Sequence, residues 1–286
     1  RTGLLWGDLA WWASPLNGFP WVEAIAGCPI EASAATGSAW ANPHPALRQG
    51  LSAEGLEHAL AGLAYEPGTP WLTQLRESTR ALARLAAGRY PVSPGIMRGA
   101  SVVVAALLGL EHFCVGLYDA PEAVAALAEA AGRLWRRVIA DQLECIPPFA
   151  GGHVNAGLWA PGPCPIYQED ASVLISEPAF RRTFLPVGRA VWAEYPYGML
   201  HLHSAGLHVL PGLLEAPCPP LVEINLDPAG PAVEGLLPRL AAVQAHTRLM
   251  VLGSQAEIAA CLDALSPART AYWVMEASLS SAGGNA

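Results

Sequence analysis

The chain has 286 residues, of which 52% are hydrophobic and only 14% are charged, so it can fill one large core. It contains no lysine, and 16 arginines face 24 acids for a net charge of -8. This balance excludes the basic patch that nucleic-acid binding needs. No apolar run reaches the roughly 18 to 20 residues of a membrane span, so no membrane association is expected.

The six cysteines show no CxxC spacing; they are Cys28, Cys114, Cys145, Cys164, Cys218 and Cys261. Such scattered cysteines argue against a disulfide framework and against a zinc site made of cysteines alone. The expectation is a reduced, cytoplasmic protein.

The chain begins with a predicted strand and a long loop. The strand Leu4–Leu9 places Trp6 and Asp8 on one face. The stretch 10–70 is rich in Gly, Pro, Ser and Trp and is predicted to be irregular. Loops of that length are usually functional, so its tryptophans either pack over the mouth of a barrel or form a substrate lid.

Helices and strands alternate along the rest of the chain. The predicted helices are Trp71–Ala87, Ala100–Leu110, Pro121–Leu143, Glu177–Tyr195, Ala232–His246 and Gln255–Leu265. The predicted strands are Val92–Arg98, His153–Trp159, Met199–His203, Leu221–Leu226, Leu249–Leu252 and Ala271–Glu276. The alternation is typical of a parallel α/β fold. With Leu4–Leu9 and one uncertain strand the count is about eight.

That count predicts a single α/β domain, a (β/α)8 or TIM barrel over residues 1–278 with a long loop region after its first strand. A doubly wound sheet is the alternative, but it usually carries a Gly-rich phosphate turn, and the sequence has no GxGxxG or P-loop pattern. The tail 279–286 is Ser/Gly/Ala/Asn and is predicted to be disordered.

Two neighbouring strands carry polar residues with the period of a strand. Met199, His201 and His203 share one face, and Glu223, Asn225 and Asp227 share one face of the next strand. In a parallel barrel this face is the lumen near the catalytic end. His201 and His203 would stand about 6 to 7 Å apart, which suits two ligands of one ion, with Glu223 as a third.

A metal-free interpretation stays open. In it the two histidines bind a substrate carboxylate, and Glu223 pairs with one of them. Cys164 is a further candidate ligand, because it lies in a loop that the barrel would place on the catalytic side.

Other polar residues near predicted strand ends are candidates for catalysis and substrate binding. Asp8 and Asp170 could act as general acid or base, although Asp170 could also cap a helix. Arg98 is the best-placed cation for a carboxylate or phosphate. The residues expected to line the same cavity are Trp6, His153, Asn155 and Trp159.

Three segments resemble the uroporphyrinogen decarboxylase superfamily: GRYPVSPGIMRGASVVVAALLGLEHFCVGLYDAP at 88–121, YQEDASVLISEPAFRRTFLP at 167–186, and HLHS at 201–204. The resemblance extends over roughly 20–276. It implies a (β/α)8 barrel, and the superfamily includes zinc methyltransferases that move a methyl group between a corrinoid and a thiol. The N-terminal arginine motif of the true decarboxylases is missing here.

The resemblance also implies site residues. His201 matches the first zinc ligand, and His203 stands where those methyltransferases have a cysteine. Their other cysteine, on the last strand, has no counterpart, so Glu276 is expected to take its place. Glu223 matches a glutamate of a more distant methyltransferase relative. The implied cofactors are zinc or another divalent metal, with a corrinoid as methyl donor.

Three functions follow from these expectations. The first is metal-dependent methyl transfer from a corrinoid or similar carrier to a thiol. The second is a decarboxylase or other lyase on a tetrapyrrole or smaller acid, with Arg98 binding the carboxylate and Asp8 or Asp170 moving protons. The third is a non-catalytic barrel that binds a corrinoid or a small molecule. The expected partners are a small-molecule substrate, a corrinoid protein and a second copy in a homodimer.

Overall fold

The computed structural model describes residues 10–275. The α-helices are α1 (Trp21–Ile25), α2 (Ala53–Gly62), α3 (Pro70–Ala86), α4 (Ala100–Leu108), α5 (Leu110–Asp119), α6 (Pro121–Leu143), α7 (Glu177–Thr183), α8 (Leu185–Glu194), α9 (Leu210–Leu213), α10 (Val233–His246) and α11 (Gln255–Ala264). The strands are β1 (Ile30–Ser33), β2 (Ser38–Ala41), β3 (Met97–Arg98), β4 (His153–Asn155), β5 (Leu158–Ala160), β6 (Ile166–Gln168), β7 (Met199–His203), β8 (Leu221–Asn225), β9 (Arg248–Gly253) and β10 (Thr270–Val274). Short 3₁₀ turns cover Pro45–Leu47, Asp170–Leu174 and Ser204–Val209.

A six-stranded parallel sheet organises the fold, in the order β10-β9-β8-β7-β6-β3. Helices connect its neighbouring strands, as parallel pairing requires. The chain is therefore a mixed α/β protein, as the alternation of predicted elements indicates.

Each face of the sheet has its own partner. Leu200 and Leu202 of β7 and Val222 and Ile224 of β8 are fully buried against the helices in the main core. The opposite face, here called the site face, carries Met199, His201 and His203 on β7. Near the amino ends of the strands the site face is apolar, with a cluster that includes Ile166, Met199 and Met250. Near the carboxyl ends it is polar.

The sheet is open among residues 10–275, and no closed eight-stranded barrel is seen there. Two adjacent residues nevertheless contact segments near the two edges of the sheet, the one before β3 and β10 itself. Ala13 forms a parallel bridge with Val92, just before β3, and the ring of Trp12 packs edge-on against Trp273 of β10 at 5.1 Å between centroids. The predicted strand 4–9 lies outside the described residues, as does the predicted tail.

The predicted strand His153–Trp159 is wrong as a member of the sheet. It folds into an antiparallel hairpin of β4 and β5. The turn residues Ala156 and Gly157 both have positive φ, 46° and 74°, which is the signature of a two-residue hairpin turn. The missing sheet strand is β6, which follows Pro165 and is only three residues long.

The prediction of a structureless 10–70 region is also wrong. This region contains α1, the hairpin of β1 and β2, and α2. The start of α2 is capped by Ser52, whose hydroxyl accepts a hydrogen bond from Gly55 N at 3.0 Å. Trp21 of α1 is 1% exposed and packs in the core beside Phe19, so this tryptophan has a packing role.

Within residues 10–275 no single helix is long and apolar enough to cross a membrane. Helices α4 and α5 reach the length and apolar composition of a membrane span only when they are taken together, and they meet at a bend of 107°. All six cysteines are free, as their spacing predicts.

Candidate metal centre

Polar side chains converge at the carboxyl ends of three adjacent strands. Asp170 follows β6, His201 and His203 lie on β7, and Asp227 comes two residues after β8. The register pairs His201 with Glu223 and His203 with Asn225. The carboxyl edge of a parallel sheet is where α/β proteins usually place their ligand sites.

Three of these side chains point ligand atoms at one another. The Nε2 atoms of His201 and His203 each lie 3.5 Å from Asp170 Oδ1. The candidate ligand atoms of all three residues lie within 4.8 Å of one another. Two ligands of a tetrahedral zinc ion stand about 3.4 Å apart, given bond lengths of about 2.0 to 2.1 Å. The spacing therefore fits a bound metal ion.

The other ring nitrogen of each histidine is held by a carboxylate. His201 Nδ1 lies 2.8 Å from Glu223 Oε1, and His203 Nδ1 lies 2.5 Å from Asp227 Oδ1. A metal ion bound beside Asp170 would take the two Nε2 lone pairs and displace any proton there, while the protons on Nδ1 stay with the carboxylates. Histidines that bind metals are commonly oriented in this way, by a carboxylate on the far nitrogen.

Asp170 has one satisfied oxygen and one free oxygen. Gln168 Nε2 donates a hydrogen bond to Oδ2 at 2.7 Å. Oδ1 is buried and has no hydrogen-bond partner among the described residues. A buried carboxylate oxygen without a partner is costly, and a cation between it and the two imidazoles would remove that cost.

Glu169 fixes the backbone next to Asp170. Its Oε2 accepts hydrogen bonds from the amide of Ser101, at 3.2 Å, and from the Ser101 hydroxyl, both at the start of α4. Complete burial raises the pKa of Glu169 to about 7, although the hydrogen bonds from Ser101 oppose the shift. The residue before Asp170 is thus held against α4.

Asp227 joins β8 to the turn after β7. It accepts hydrogen bonds from the Ser204 hydroxyl at 2.9 Å and from Asn225 Nδ2 at 3.0 Å. Burial raises the pKa of Asp227, but the hydrogen bonds from His203 and Ser204 outweigh burial, so the pKa is lowered. The contact with Asp170, opposed by burial and helped by Asp227, raises the pKa of His203 to about 9. The lowered pKa of Asp227 and the raised pKa of His203 both show that the surrounding groups favour positive charge at this site.

Two imidazole nitrogens and one carboxylate oxygen make a 2-His-1-carboxylate set. Such a set suits zinc and also iron(II) or manganese, and it is harder than the cysteine-containing set that the family resemblance implies. The residues present therefore fit a divalent metal ion, with Asp170, His201 and His203 as its ligands.

The predicted site residues divide between this centre and other places. Glu223, predicted as a ligand, contacts Nδ1 of His201. Asp170, predicted as an acid or base, lies with the two histidines in the candidate ligand group. Arg98 binds the buried Glu23, with Nη1 3.1 Å from Oε1. Cys164 is buried two residues before β6, away from the histidines, and burial raises its pKa to about 12.

Three predicted substrate-binding residues lie on the hairpin at the other end of the sheet. His153 is half-buried on β4, and burial lowers its pKa. Asn155 and Trp159 line a cavity beside the amino ends of the strands. Trp6, Asp8 and Glu276 lie outside the described residues.

Sequence reasoning missed the parts played by Asp227, Gln168 and Glu23. Alternation placed Asp227 on the face of Glu223 and Asn225, but it gave no sign that Asp227 would contact His203. Gln168 required knowledge of β6. Glu23 is far from the site in sequence, and no local pattern indicates its contact with Arg98.

Neither a family model nor a curated protein matches this sequence. Among solved structures the chain is similar to a methyltransferase from Methanosarcina mazei, with a TM-score of 0.62 over 91% of this chain and 73% of that chain. The two sequences are 12% identical, so the similarity establishes a shared fold.

Proposed function

We propose that this protein is a metal-dependent methyltransferase related to the uroporphyrinogen decarboxylase superfamily. Its metal ligands are Asp170, His201 and His203. The observation that carries the proposal is the convergence of both Nε2 atoms on the unpartnered Oδ1 of Asp170. The fold shared with the Methanosarcina methyltransferase agrees with it.

When bound, a divalent metal lowers the pKa of a coordinated thiol, so that the thiolate is available near neutral pH as a methyl acceptor. Zinc is the ion that the family resemblance favours. The proposed donor is a corrinoid or similar methyl carrier, free or on a partner protein. The proposed scaffold is a barrel.

The chain's own residues keep the ligands in place. Glu223 and Asp227 hold the protons of the two Nδ1 atoms and fix the ring orientations. Gln168 turns Asp170 so that Oδ1 faces the rings. Pre-oriented ligands of this kind reduce the cost of binding the ion and an acceptor.

The alternative of a decarboxylase or other lyase has less support. It relied on Arg98 as the cation for a substrate carboxylate. The guanidinium of Arg98 is already paired with Glu23, whose side chain is fully buried, and it also donates to the carbonyl of Gly18. An anion would have to compete with that buried carboxylate.

Metal analysis of the purified protein tests the first half of the proposal. Elemental analysis should find one divalent ion per chain, and D170N and H201A should lose it. H58A is the matched control, because His58 is exposed on α2 and should have no effect. A wild-type protein that binds no divalent ion when titrated would contradict the metal site.

Methyl transfer tests the second half. Methylcobalamin and 2-mercaptoethanol serve as probes, with demethylation followed by absorbance and the methylated thiol by mass spectrometry. Turnover should need the metal and disappear in H201A. Stoichiometric metal without methyl transfer from any corrinoid donor would leave the metal site standing and overturn the methyltransferase.

A further inference from the structure

The cavity lined by Asn155 and Trp159 lies at the opposite end of the sheet from the histidines. It has a volume of about 360 Å³, within the range of small-molecule sites. It lies beside the amino ends of β7, β8, β9 and β10 and is covered on one side by the β4–β5 hairpin. We propose that this cavity binds a small flat aromatic anion.

The walls are apolar and partly aromatic. Trp159 is 52% exposed and Tyr197 is 41% exposed, and both line the cavity together with Met199 and Leu221. Exposed large aromatic side chains beside an open apolar cavity are unusual, because they leave apolar surface in water. A flat ring bound between these walls would cover that surface and could stack on the indole or phenol.

Two arginines give the cavity its charge. Arg248 and Arg269 both line it, both are exposed, and neither has an ion-pair partner among residues 10–275. They are unpaired in a protein in which acids outnumber arginines by 24 to 16. Arg269 also has a left-handed backbone with φ of 65°, a strained conformation that often marks functional positions. Exposed guanidinium groups without an ion-pair partner favour the binding of a ligand with a carboxylate or sulfonate group.

Asn155 lines the cavity and carries an unpaired donor. It is 2% exposed, and its Oδ1 accepts a hydrogen bond from Ala156 N at 3.0 Å. Its Nδ2 is buried without a hydrogen-bond partner among the described residues. A buried amide donor left unpaired is costly, and an oxygen acceptor on a ligand would satisfy it.

An apolar layer separates this cavity from the metal centre. Ile166, Met199 and Met250 pack together on the site face. Met199 is two residues before His201 on the same strand, so the two sites lie on either side of this layer. The second site is therefore independent of the proposed metal chemistry.

Fluorescence titration with 8-anilinonaphthalene-1-sulfonate tests the proposal. The probe should bind saturably, and R248Q/R269Q should weaken it by at least tenfold. R84Q/R133Q is the charge-matched control, since these exposed arginines lie on the outer helices α3 and α6. Equal binding by wild type and R248Q/R269Q would overturn the proposal, as would weaker binding by H201A.

Two competitors test the chemical class. 1-Naphthoate should displace the probe, because it is a flat aromatic carboxylate, and laurate should not, because it is a flexible chain. The neutral N-phenyl-1-naphthylamine should bind at least tenfold more weakly than the sulfonate. Displacement by laurate, or equal binding of the neutral dye, would contradict a site for flat aromatic anions.

Discussion

Neighbouring residues outside the candidate ligand group fix the orientation of its three side chains, Asp170, His201 and His203. Each imidazole has its Nδ1 fixed by a carboxylate, and the Asp170 carboxylate has its Oδ2 fixed by Gln168. Only atoms that face the centre of the cluster are left free. The affinity for a metal should therefore depend on these supporting contacts as well as on the ligands.

E223Q tests this dependence. An amide keeps the shape of Glu223 but loses the charge that favours a proton on His201 Nδ1, so metal affinity should fall by about 10- to 100-fold while the fold is kept. Calorimetric titration with zinc measures the change. E215Q is the control, because Glu215 is an exposed acid that pairs with Arg181. An unchanged affinity would mean that Glu223 does not orient the ring.

The ion pair of Glu23 and Arg98 gives a prediction about stability and pH. Burial raises the pKa of Glu23 above its ordinary value of 4.5, and Arg98 opposes that shift. R98M should cost about 3 to 5 kcal/mol, because it leaves a buried carboxylate without its partner. The folded state then holds the Glu23 proton more tightly than the unfolded state, so stability falls as pH rises above 4.5.

Urea unfolding at about pH 5 and about pH 8 measures this effect. The loss in R98M should be larger at the higher pH, and E23Q/R98M should recover most of it, because a neutral amide replaces the buried charge. A loss that is equal at both pH values would contradict this prediction, because it would mean that the folded variant binds the Glu23 proton no more tightly than the folded wild type.

The histidines of the site could be predicted from the sequence, and its acids only in part. His201, His203 and Glu223 follow from alternation along two strands that are long enough to show it. Asp170 lies in a 3₁₀ turn after a three-residue strand, where no period exists. Its position as a ligand depends on the contact of β6 with β7, which a single sequence does not reveal.

Strands and helices differ in how well their patterns indicate them. Met199–His203 has the predicted bounds, because five alternating residues between polar and Gly-rich flanks leave little choice. The alternation of His153–Trp159 is equally regular but passes through a hairpin turn at Ala156 and Gly157. Alternation indicates the faces of a strand and does not reveal that the strand reverses.

Helices α6 and α8 approach closely at Gly132, which gives a prediction for a pair of elements. A methyl group at this position would collide with Val187 Cγ1. Alanine is better than glycine in a helix by about 1 kcal/mol, but overpacking costs about 1 to 3 kcal/mol, so G132A should destabilise the fold. Urea unfolding measures the difference.

The control for this variant is G235A, because a methyl group at Gly235 in α10 meets nothing within 4 Å. G235A should be neutral or stabilising. G132A/V187A should be more stable than the sum of the two single variants predicts. If the changes in unfolding free energy of the two single variants simply add in the double variant, the added methyl group does not collide with Val187 and the two helices adjust to it without loss of stability.

At the scale of the whole molecule, the candidate metal centre connects several parts of the sheet. Its candidate ligands come from β7 and from the turn after β6, and the carboxylates that contact the histidines come from β8 and the loop beyond. The unfolded chain does not hold these groups together. A bound ion should therefore stabilise the folded state as a whole.

Thermal unfolding with and without metal measures this stabilisation. Zinc at about 100 times its dissociation constant should add about 2.7 kcal/mol, and a chelator should remove it. H201A should not respond to either, whereas H58A should respond like the wild type. A zinc-dependent rise that persists in H201A would place the ion elsewhere.

The carboxylates around the histidines also affect how fast reactants arrive. Asp170, Glu223 and Asp227 carry more negative charge than one divalent ion neutralises, and the whole chain has a net charge of -8. Such a field speeds the diffusional encounter of cations and slows that of anions, and added salt weakens both effects. A cationic reactant should therefore associate more slowly as ionic strength rises, and an anionic reactant should associate faster.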